Sequence, residues 1–286
     1  MTQTDTLDIV RKVADLRARV KYWRDQGLSV AMVPTMGALH DGHLTLARAA
    51  LKAADRVVVS VFVNPTQFGP TEDLSRYPRQ EAKDAEALDG IGCHLMFAPT
   101  VEEMYPDGFA TSISVKGVSE PLEGACRPGH FDGVATVVAK LLSQCGPDVA
   151  LFGEKDWQQL AVIRRMARDL DLPVEIRGVP TVRETDGLAL SSRNAYLNAE
   201  QRVQAPALHR ALVTVAEGIK AGQPPEELCH RAAAEVLAAG FAHVDYIEVR
   251  DAATMAPLTG NGRPGRILAA AKLGTTRLID NVAIEE

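Results

Sequence analysis

Two histidines three residues apart, His40 and His43, close the stretch Val33-Pro34-Thr35-Met36-Gly37-Ala38-Leu39-His40-Asp41-Gly42-His43. An apolar run precedes them and a helix-like pattern follows. Both imidazoles and several backbone N–H groups therefore fall where a strand hands over to a helix. Such a junction attracts phosphate, because a helix start carries unpaired N–H donors and the positive end of the helix dipole. Gly37 and Gly42 let the chain turn sharply and let a ligand approach the backbone. The chemistry this suggests is attack on a nucleotide phosphate. An imidazole can donate to a phosphoryl oxygen and, if protonated, would also neutralise charge on a leaving pyrophosphate. A metal pair, or two satisfied polar histidines, is the plainer alternative. A metal would need a further ligand, and this stretch offers only Asp41.

Three more polar segments carry residue types that suit the same chemistry. Asn64-Pro65-Thr66-Gln67-Phe68-Gly69 follows an apolar run, and a neutral amide there can bind a carboxylate or hydroxyl; an ordinary turn is the competing reading. In Gly153-Glu154-Lys155-Asp156-Trp157-Gln158-Gln159, a lysine at a strand–helix turn suits a polyphosphate. Asp156 also fits an N-cap, and Gln159 lies about one helical turn beyond it. A solvated charged loop is the alternative. Leu190-Ser191-Ser192-Arg193-Asn194 offers two hydroxyls and a guanidinium, a phosphate clamp or a surface turn. Cys126-Arg127-Pro128-Gly129-His130-Phe131 adds a basic patch just before a helix pattern.

The elements that must position these residues alternate. Helical spacing covers Leu7 to Asp25, Leu44 to Ala54, Glu81 to Leu88, Val134 to Gln144 and Trp157 to Leu170. Short apolar runs at Val30–Pro34, Val57–Val63, Leu95–Phe97, Val149–Phe152 and Val174–Val179 read as strands. The β-branched Val57 run is that of a strand covered on both faces. This alternation predicts an α/β fold, a Rossmann-like parallel sheet over residues 1–182. Ligands bind such sheets at the carboxyl ends of the strands, so the loops after the Val30, Val57 and Val149 strands are expected to converge. Past about residue 183 the texture changes. Helices over Ala199–Ala221 and Pro225–Ala239, strands over Val244–Val249 and Arg266–Ala271, and a turn at Asn261–Gly265 predict a smaller C-terminal α+β domain, 183–286.

Composition sets the outer limits. The chain has 286 residues, 46% hydrophobic and 24% charged, which fits one large or two ordinary globular domains. A net charge of −6 argues against a nucleic-acid partner. Cys93, Cys126, Cys145 and Cys229 form no Cys-x-x-Cys pair, so no zinc or redox motif is expected. Charges in MTQTDTLDIVRKV stand where a signal peptide needs an apolar stretch, and no apolar run reaches eighteen residues. A cytoplasmic protein without a membrane span is expected.

Taken together, PTMGALHDGH, VFVNPTQFG, EDLSRYPR, RPGHF, FGEKDWQQL, LALSSRNAYL and the tail AAKLGTTRLIDN resemble the pantoate–β-alanine ligase family along nearly the whole chain. The HxGH element alone marks only a wider group of nucleotidylyltransferases and class I aminoacyl-tRNA synthetases. The resemblance implies ATP as a substrate with accompanying Mg2+, and pantoate and β-alanine as the other substrates. Its two steps would be formation of a pantoyl adenylate with release of pyrophosphate, then attack by the amine with release of AMP. It also implies a homodimer; the hinge-like stretch near residue 183 and the Leu190 loop separately suggest that residues 183–286 close over the cleft as a lid. By position, Met36, Gly37, Ala38, Leu39, His40, Asp41, Gly42 and His43 would form the ATP loop, with His43 catalytic and His40 its phosphate-binding companion. Gly153, Glu154, Lys155, Asp156, Leu190, Ser191, Ser192 and Arg193 would bind ATP, Lys155 and Arg193 acting on its phosphates, and Val182 would lie near the adenine. Gln67 and Gln159 would hold pantoate, Gln67 also being near β-alanine. No residue is assigned as a metal ligand, and Asp84 is only a helper by position. Two other functions stay open on the residues alone: a nucleotidylyltransferase that stops after nucleotide transfer, and a non-catalytic nucleotide sensor. The two glutamines argue against a phosphate acceptor, which calls for arginine or lysine.

Overall fold

The computed structural model describes residues 7–70, 72–258 and 264–284. The chain divides into two compact units, and neither is a single stretch of sequence. The first comprises Met1–Val115, Arg127–Glu154 and Val162–Pro180; the second comprises Lys116–Cys126, Lys155–Ala161 and Thr181–Glu286. The sequence-based division at 182/183 is contiguous, whereas two short insertions of the second unit, 116–126 and 155–161, fall inside the expected N-terminal domain.

The first unit is built on six parallel strands: β1 (Asp8–Val10), β2 (Val30–Thr35), β3 (Arg56–Val61), β4 (Leu95–Phe97), β5 (Val149–Gly153) and β6 (Glu175–Val179). Their order is β1-β4-β3-β2-β5-β6, the pairs all being parallel. The helices α1 (Val13–Arg24), α2 (Asp41–Ala53) and α3 (Glu81–Gly90) connect the first strands. The short α4 (Val101–Met104) and α5 (Glu123–Cys126) precede α6 (His130–Cys145) and α7 (Trp157–Asp169), while α5 and the first turn of α7 fall within the second unit. The Val57 run is buried as its β-branched composition predicts: Val57, Val58, Val59 and Ser60 are all 1% exposed or less. Leu46, Ala47 and Ala50 of α2 pack with Val33, Val59 and Met96 in one core cluster. Complete burial of a large aliphatic or aromatic side chain in such a layer contributes about 1.5–3 kcal/mol.

One helix expectation needs correcting at its start. Ile9 and Val10 match the helical period, but Asp8–Val10 is an edge strand in register with Leu95–Phe97, and α1 begins only at Val13. Tertiary pairing overrides a local period that three residues cannot establish.

The second unit carries α8 (Ala199–Gln204), α9 (Ala207–Lys220) and α10 (Pro225–Ala238), with an antiparallel sheet of β7 (His243–Asp251), β8 (Gly265–Leu273) and β9 (Thr276–Ile284). The helix expected from Ala199 to Ala221 is two helices. Pro206 separates them, since it lacks the N–H that a continuous helix would need. Leu208, Leu212 and Val215 of α9 and Leu228 and Val236 of α10 cover Ile267, Ala269, Ala271 and Leu278 of the sheet. Strand β9 has no counterpart among the predicted strands, because Arg277, Asp280 and Asn281 interrupt its apolar alternation. Residues 261–263 of the expected turn lie outside the described residues.

Candidate active site

Strands β3, β2 and β5 are adjacent and parallel, so their carboxyl ends at Val61, Thr35 and Gly153 lie side by side. The order of crossovers reverses between β2 and β5, the place where open parallel sheets bind ligands. The three loops expected to converge thus leave neighbouring strand ends.

His40 is the N-cap of α2. Its Nδ1 accepts from the Gly42 N–H at 3.1 Å, and His43 Nδ1 accepts from the His40 N–H at 3.4 Å, a capping box built from two imidazoles. The ring centroids are 4.1 Å apart at 36°. An accepting Nδ1 carries no proton, so protonation of that nitrogen would break the cap.

The loop before this helix is bent by Gly37 at φ 81° and Ala38 at φ 51°. Asp84, only 1% exposed, holds the bend: its two oxygens accept from the Ala38 N–H at 3.0 Å and the Leu39 N–H at 2.8 Å. A Cβ at residue 37 would lie 3.0 Å from Asp84 Oδ2 and from Val61 Cγ1, so glycine is needed there for space as well as for φ. Asp84 secures the shape of the ATP-loop candidate.

Gln67 is set by an equally local device. Asn64, 1% exposed, caps the 3-10 turn Pro65–Gln67. Asn64 Nδ2 donates to Gln67 Oε1 at 3.1 Å and to the Gly133 carbonyl at 3.2 Å, while Asn64 Oδ1 accepts from Tyr105 Oη at 2.8 Å. Gln67 Nε2 then donates to Met36 Sδ at 3.1 Å, which joins the loops after β2 and β3. Helix α6 comes close enough to do this only because residue 133 is glycine: a Cβ would sit 2.5 Å from the Thr66 carbonyl oxygen. The basic patch read in the sequence lies against the same turn. His130 Nδ1 donates to the Gln67 carbonyl at 2.8 Å, and Arg127 Nη1 donates to His130 Nε2 at 3.0 Å. Arg127 also pairs with Glu72 at 2.7 Å through two nitrogens. Burial pushes the Glu72 carboxyl up, but the Arg127 guanidinium outweighs it and the net shift is downward.

Met36–His43, Gln67, Gly153 and Glu154 belong to the first unit; Lys155, Asp156, Gln159, Val182 and Leu190–Arg193 belong to the second. In the second unit, Glu154–Asp156 is a 3-10 turn that runs into α7. Lys155 Nζ stands 3.9 Å from Asp156 Oδ2. The two neighbouring glutamines part company here. Gln158 is buried and structural, accepting from the Glu123 N–H and donating to the Val118 and Pro121 carbonyls. Gln159 is half-buried, and its side chain makes no hydrogen bond to another described residue. The Leu190 N–H donates to the Val182 carbonyl at 3.0 Å, and Ser191 Oγ accepts from the Arg193 N–H at 3.3 Å, capping the 3-10 turn Ser192–Tyr196.

The cysteines are poor nucleophiles. Burial pushes the Cys93 and Cys145 thiols up to about 12 and that of Cys229 to about 11. Burial also raises Cys126, despite the neighbouring Arg277. None is held as a thiolate, the form that would attack an acyl group.

Residues 8–283 match the family model described as pantoate-beta-alanine ligase. The chain belongs to the pantoate–β-alanine ligase family. It is 68% identical to the pantothenate synthetase of Paramagnetospirillum magneticum, covering 97% of this chain and 98% of that one. It is 58% identical to that of Rhodospirillum rubrum over 97% and 99%. The crystal structure of the Thermus thermophilus enzyme superimposes with a TM-score of 0.90 at 49% identity, covering 98% of this chain and 100% of that one. The pantoate–β-alanine ligase of Francisella tularensis, solved in complex with beta-gamma ATP and β-alanine, gives 0.83 at 33% identity and 98% of both chains. This member of the pantoate–β-alanine ligase family is thus an enzyme of pantothenate biosynthesis. A nucleotidylyltransferase that stops after transfer and a non-catalytic sensor are both set aside.

Several residues that shape this candidate site had no role assigned from the sequence that matches the one they play. Asp84 is a fully buried carboxylate whose partners lie 45 and 46 positions away, and its position shows no pattern of its own. Gly133 was hidden inside an apolar helix period. Asn64-Pro65 does carry a local signal, an N-cap followed by proline at the first helical position.

Proposed function

We propose that this ligase activates pantoate as an acyl adenylate. A carboxylate oxygen of pantoate attacks the α-phosphorus of ATP, and pyrophosphate leaves. The β-alanine amine then attacks the acyl carbon, an amide forms as the amine sheds a proton, and AMP departs with the former carboxylate oxygen. A carboxylate is a poor electrophile, and the mixed anhydride supplies the leaving group it lacks. The observation that carries this reading is the capping box of α2, which sets two imidazoles side by side at a helix N-terminus, a place suited to the negative charge that builds as pyrophosphate leaves.

The remaining roles follow the chemistry of each residue. His43 and His40 donate to phosphate oxygens, and Lys155, Ser191, Ser192 and Arg193 grip the triphosphate. Val182 lies near the adenine, and Leu190, Met36–Leu39, Asp41, Gly42, Gly153, Glu154 and Asp156 border the ATP. Gln67 and Gln159 direct amide hydrogen bonds at pantoate, Gln67 also bordering β-alanine. The Francisella relative's complex supports nucleotide and β-alanine as ligands. Mg2+ enters with ATP, as the family resemblance implies. A homodimer rests on the family resemblance. The cytoplasm rests on the four free cysteines, which suit a reducing compartment.

Pantoate labelled with oxygen-18 in its carboxylate tests the route. Adenylation requires one labelled oxygen to appear in AMP. Label in inorganic phosphate with ADP as co-product would replace the adenylate with an acyl phosphate.

A further inference from the structure

Two adjacent polar residues on β9, Asp280 and Asn281, are only 5% and 4% exposed, and the chemistry proposed above uses neither. Neighbours on a strand face opposite sides of the sheet. Asp280 lies opposite Ala269 and Asn281 opposite Leu268. Asp280 thus shares the face covered by α9, where His209 Nδ1 stands 3.4 Å away. Asn281 takes the other face.

Each residue holds a different phosphate-loop candidate. Asn281 Nδ2 donates to the Lys155 carbonyl at 2.8 Å, and Asn281 Oδ1 accepts from Arg266 Nη1 at 2.7 Å. The Arg266 guanidinium in turn lies 3.4 Å over the Trp157 ring, whose Nε1 donates to the Ala252 carbonyl at 2.7 Å. The 155–157 segment is therefore fixed at its backbone and at its next aromatic side chain. Asp280 accepts a two-point pair from Arg183, at 2.7 and 2.9 Å. Arg183 also donates to the Gly187 carbonyl at 3.0 Å and to the Asn281 carbonyl at 3.2 Å. It thereby clasps the narrow loop closed by the Arg183–Ala189 bridge, which leads directly into Ser191, Ser192 and Arg193. At the tip of that loop, a Cβ at Gly187 would come 2.7 Å from His209.

We infer that Asp280 and Asn281 are positioning residues that fix the Lys155 turn and the Ser191–Arg193 turn from opposite faces of one strand, so that the cations of both turns are held in register for a triphosphate. The inference rests on the ATP roles given to those turns above. A displacement of about 1 Å is enough to cost on the order of a hundredfold in rate where groups must meet a transition state. One strand holding both turns keeps their separation fixed without either side chain touching the ligand.

The test is a pair of double-mutant cycles in the full chain, read as kcat/KM for ATP and as KM for β-alanine. Asn281→Ala is expected to lower kcat/KM for ATP on the order of tenfold or more and to leave KM for β-alanine unchanged. In a Lys155→Ala background the same substitution is expected to cost twofold or less, because its effect passes through Lys155. Arg183→Lys, which keeps the charge but loses the two-point geometry, is expected to show the same non-additivity with Arg193→Ala. Asp280→Asn provides a second route to that cycle should Arg183→Lys not fold. Independent, additive losses, or equal losses for all three substrates, would overturn the inference and reduce both residues to general fold stabilisers. Failure of the wild-type chain to turn over ATP with pantoate and β-alanine would instead overturn the proposed function itself.

Discussion

The two compact units hold their candidate site residues by different means. In the first, caps close in sequence carry much of the hold: His40 and His43 cap the helix they begin and Asn64 caps the turn that carries Gln67, while the side chain of Asp84 secures two N–H groups of the loop after β2. In the second, the holding groups are distant side chains. Asn281 reaches the Lys155 carbonyl across 126 positions of sequence and Asp280 reaches Arg183 across 97. Short-range caps leave a residue pattern that can be read; long-range ion pairs leave only isolated polar residues in apolar strands. The same contrast bears on energetics. A cap contributes about 1 kcal/mol, whereas removing one partner of a buried ion pair costs about 3–5 kcal/mol because it strands the other charge.

The sharpest probe of the first region is His43→Ala. It removes the proposed donor to developing charge and the second half of the capping box, so kcat is expected to fall on the order of 10²–10³-fold with a smaller change in ATP affinity. Steady-state kinetics beside calorimetric titration of ATP would separate the two. Near-wild-type turnover would show that the imidazole is a cap and nothing more.

Gly133→Ala attacks the close approach that sets Gln67. The added methyl must displace the Thr66 carbonyl, at a cost of about 1–3 kcal/mol in stability. KM for pantoate is expected to rise more than KM for ATP. A variant with native Tm and unchanged KM for pantoate would show that the turn does not depend on this contact.

Gln159→Ala is the matching probe in the second unit. Loss of a directed amide donor or acceptor is expected to weaken pantoate by about 1–1.5 kcal/mol, roughly tenfold, with ATP binding little altered. Equal losses for both ligands in a titration would make Gln159 structural, like its neighbour Gln158.

The expected effect furthest from turnover concerns acid stability. Burial pushes the Asp280 carboxyl up, but His209 and Arg183 outweigh it and hold it below its ordinary value. A depressed carboxyl contributes stability that is fully present above the unfolded value of about 3.9 and is lost as pH falls through the lower folded value. Chemical denaturation of wild type and Asp280→Asn should therefore show their stability gap narrowing below about pH 4. A gap independent of pH would mean that the lost charge is not the cause.

How much was legible follows from the same contrast. The parallel sheet, its flanking helices and the strand-end loops could be read because β-branched runs and helical periods are local. His40, His43 and Gln67 could be singled out because glycines, prolines and strand ends frame them. Strand β1 was masked by a helical period too short to decide, and β9 by polar residues whose partners lie far along the chain. The compact units cross the expected boundary at 116–126 and 155–161 for the same reason. Glu123 and Gln158 are tied by hydrogen bonds to each other and, through Arg277 and Tyr246, to the antiparallel sheet, none of which shows in a linear pattern.

The most direct test of the account is AMP formation from MgATP and pantoate, with and without β-alanine. Continuous AMP release only when β-alanine is present, matched mole for mole by pantothenate in the mass spectrum, with pyrophosphate limited to one equivalent per site in its absence, is the predicted result. Continuous AMP release without β-alanine, or pantothenate formed without AMP, would contradict an adenylate held for the amine.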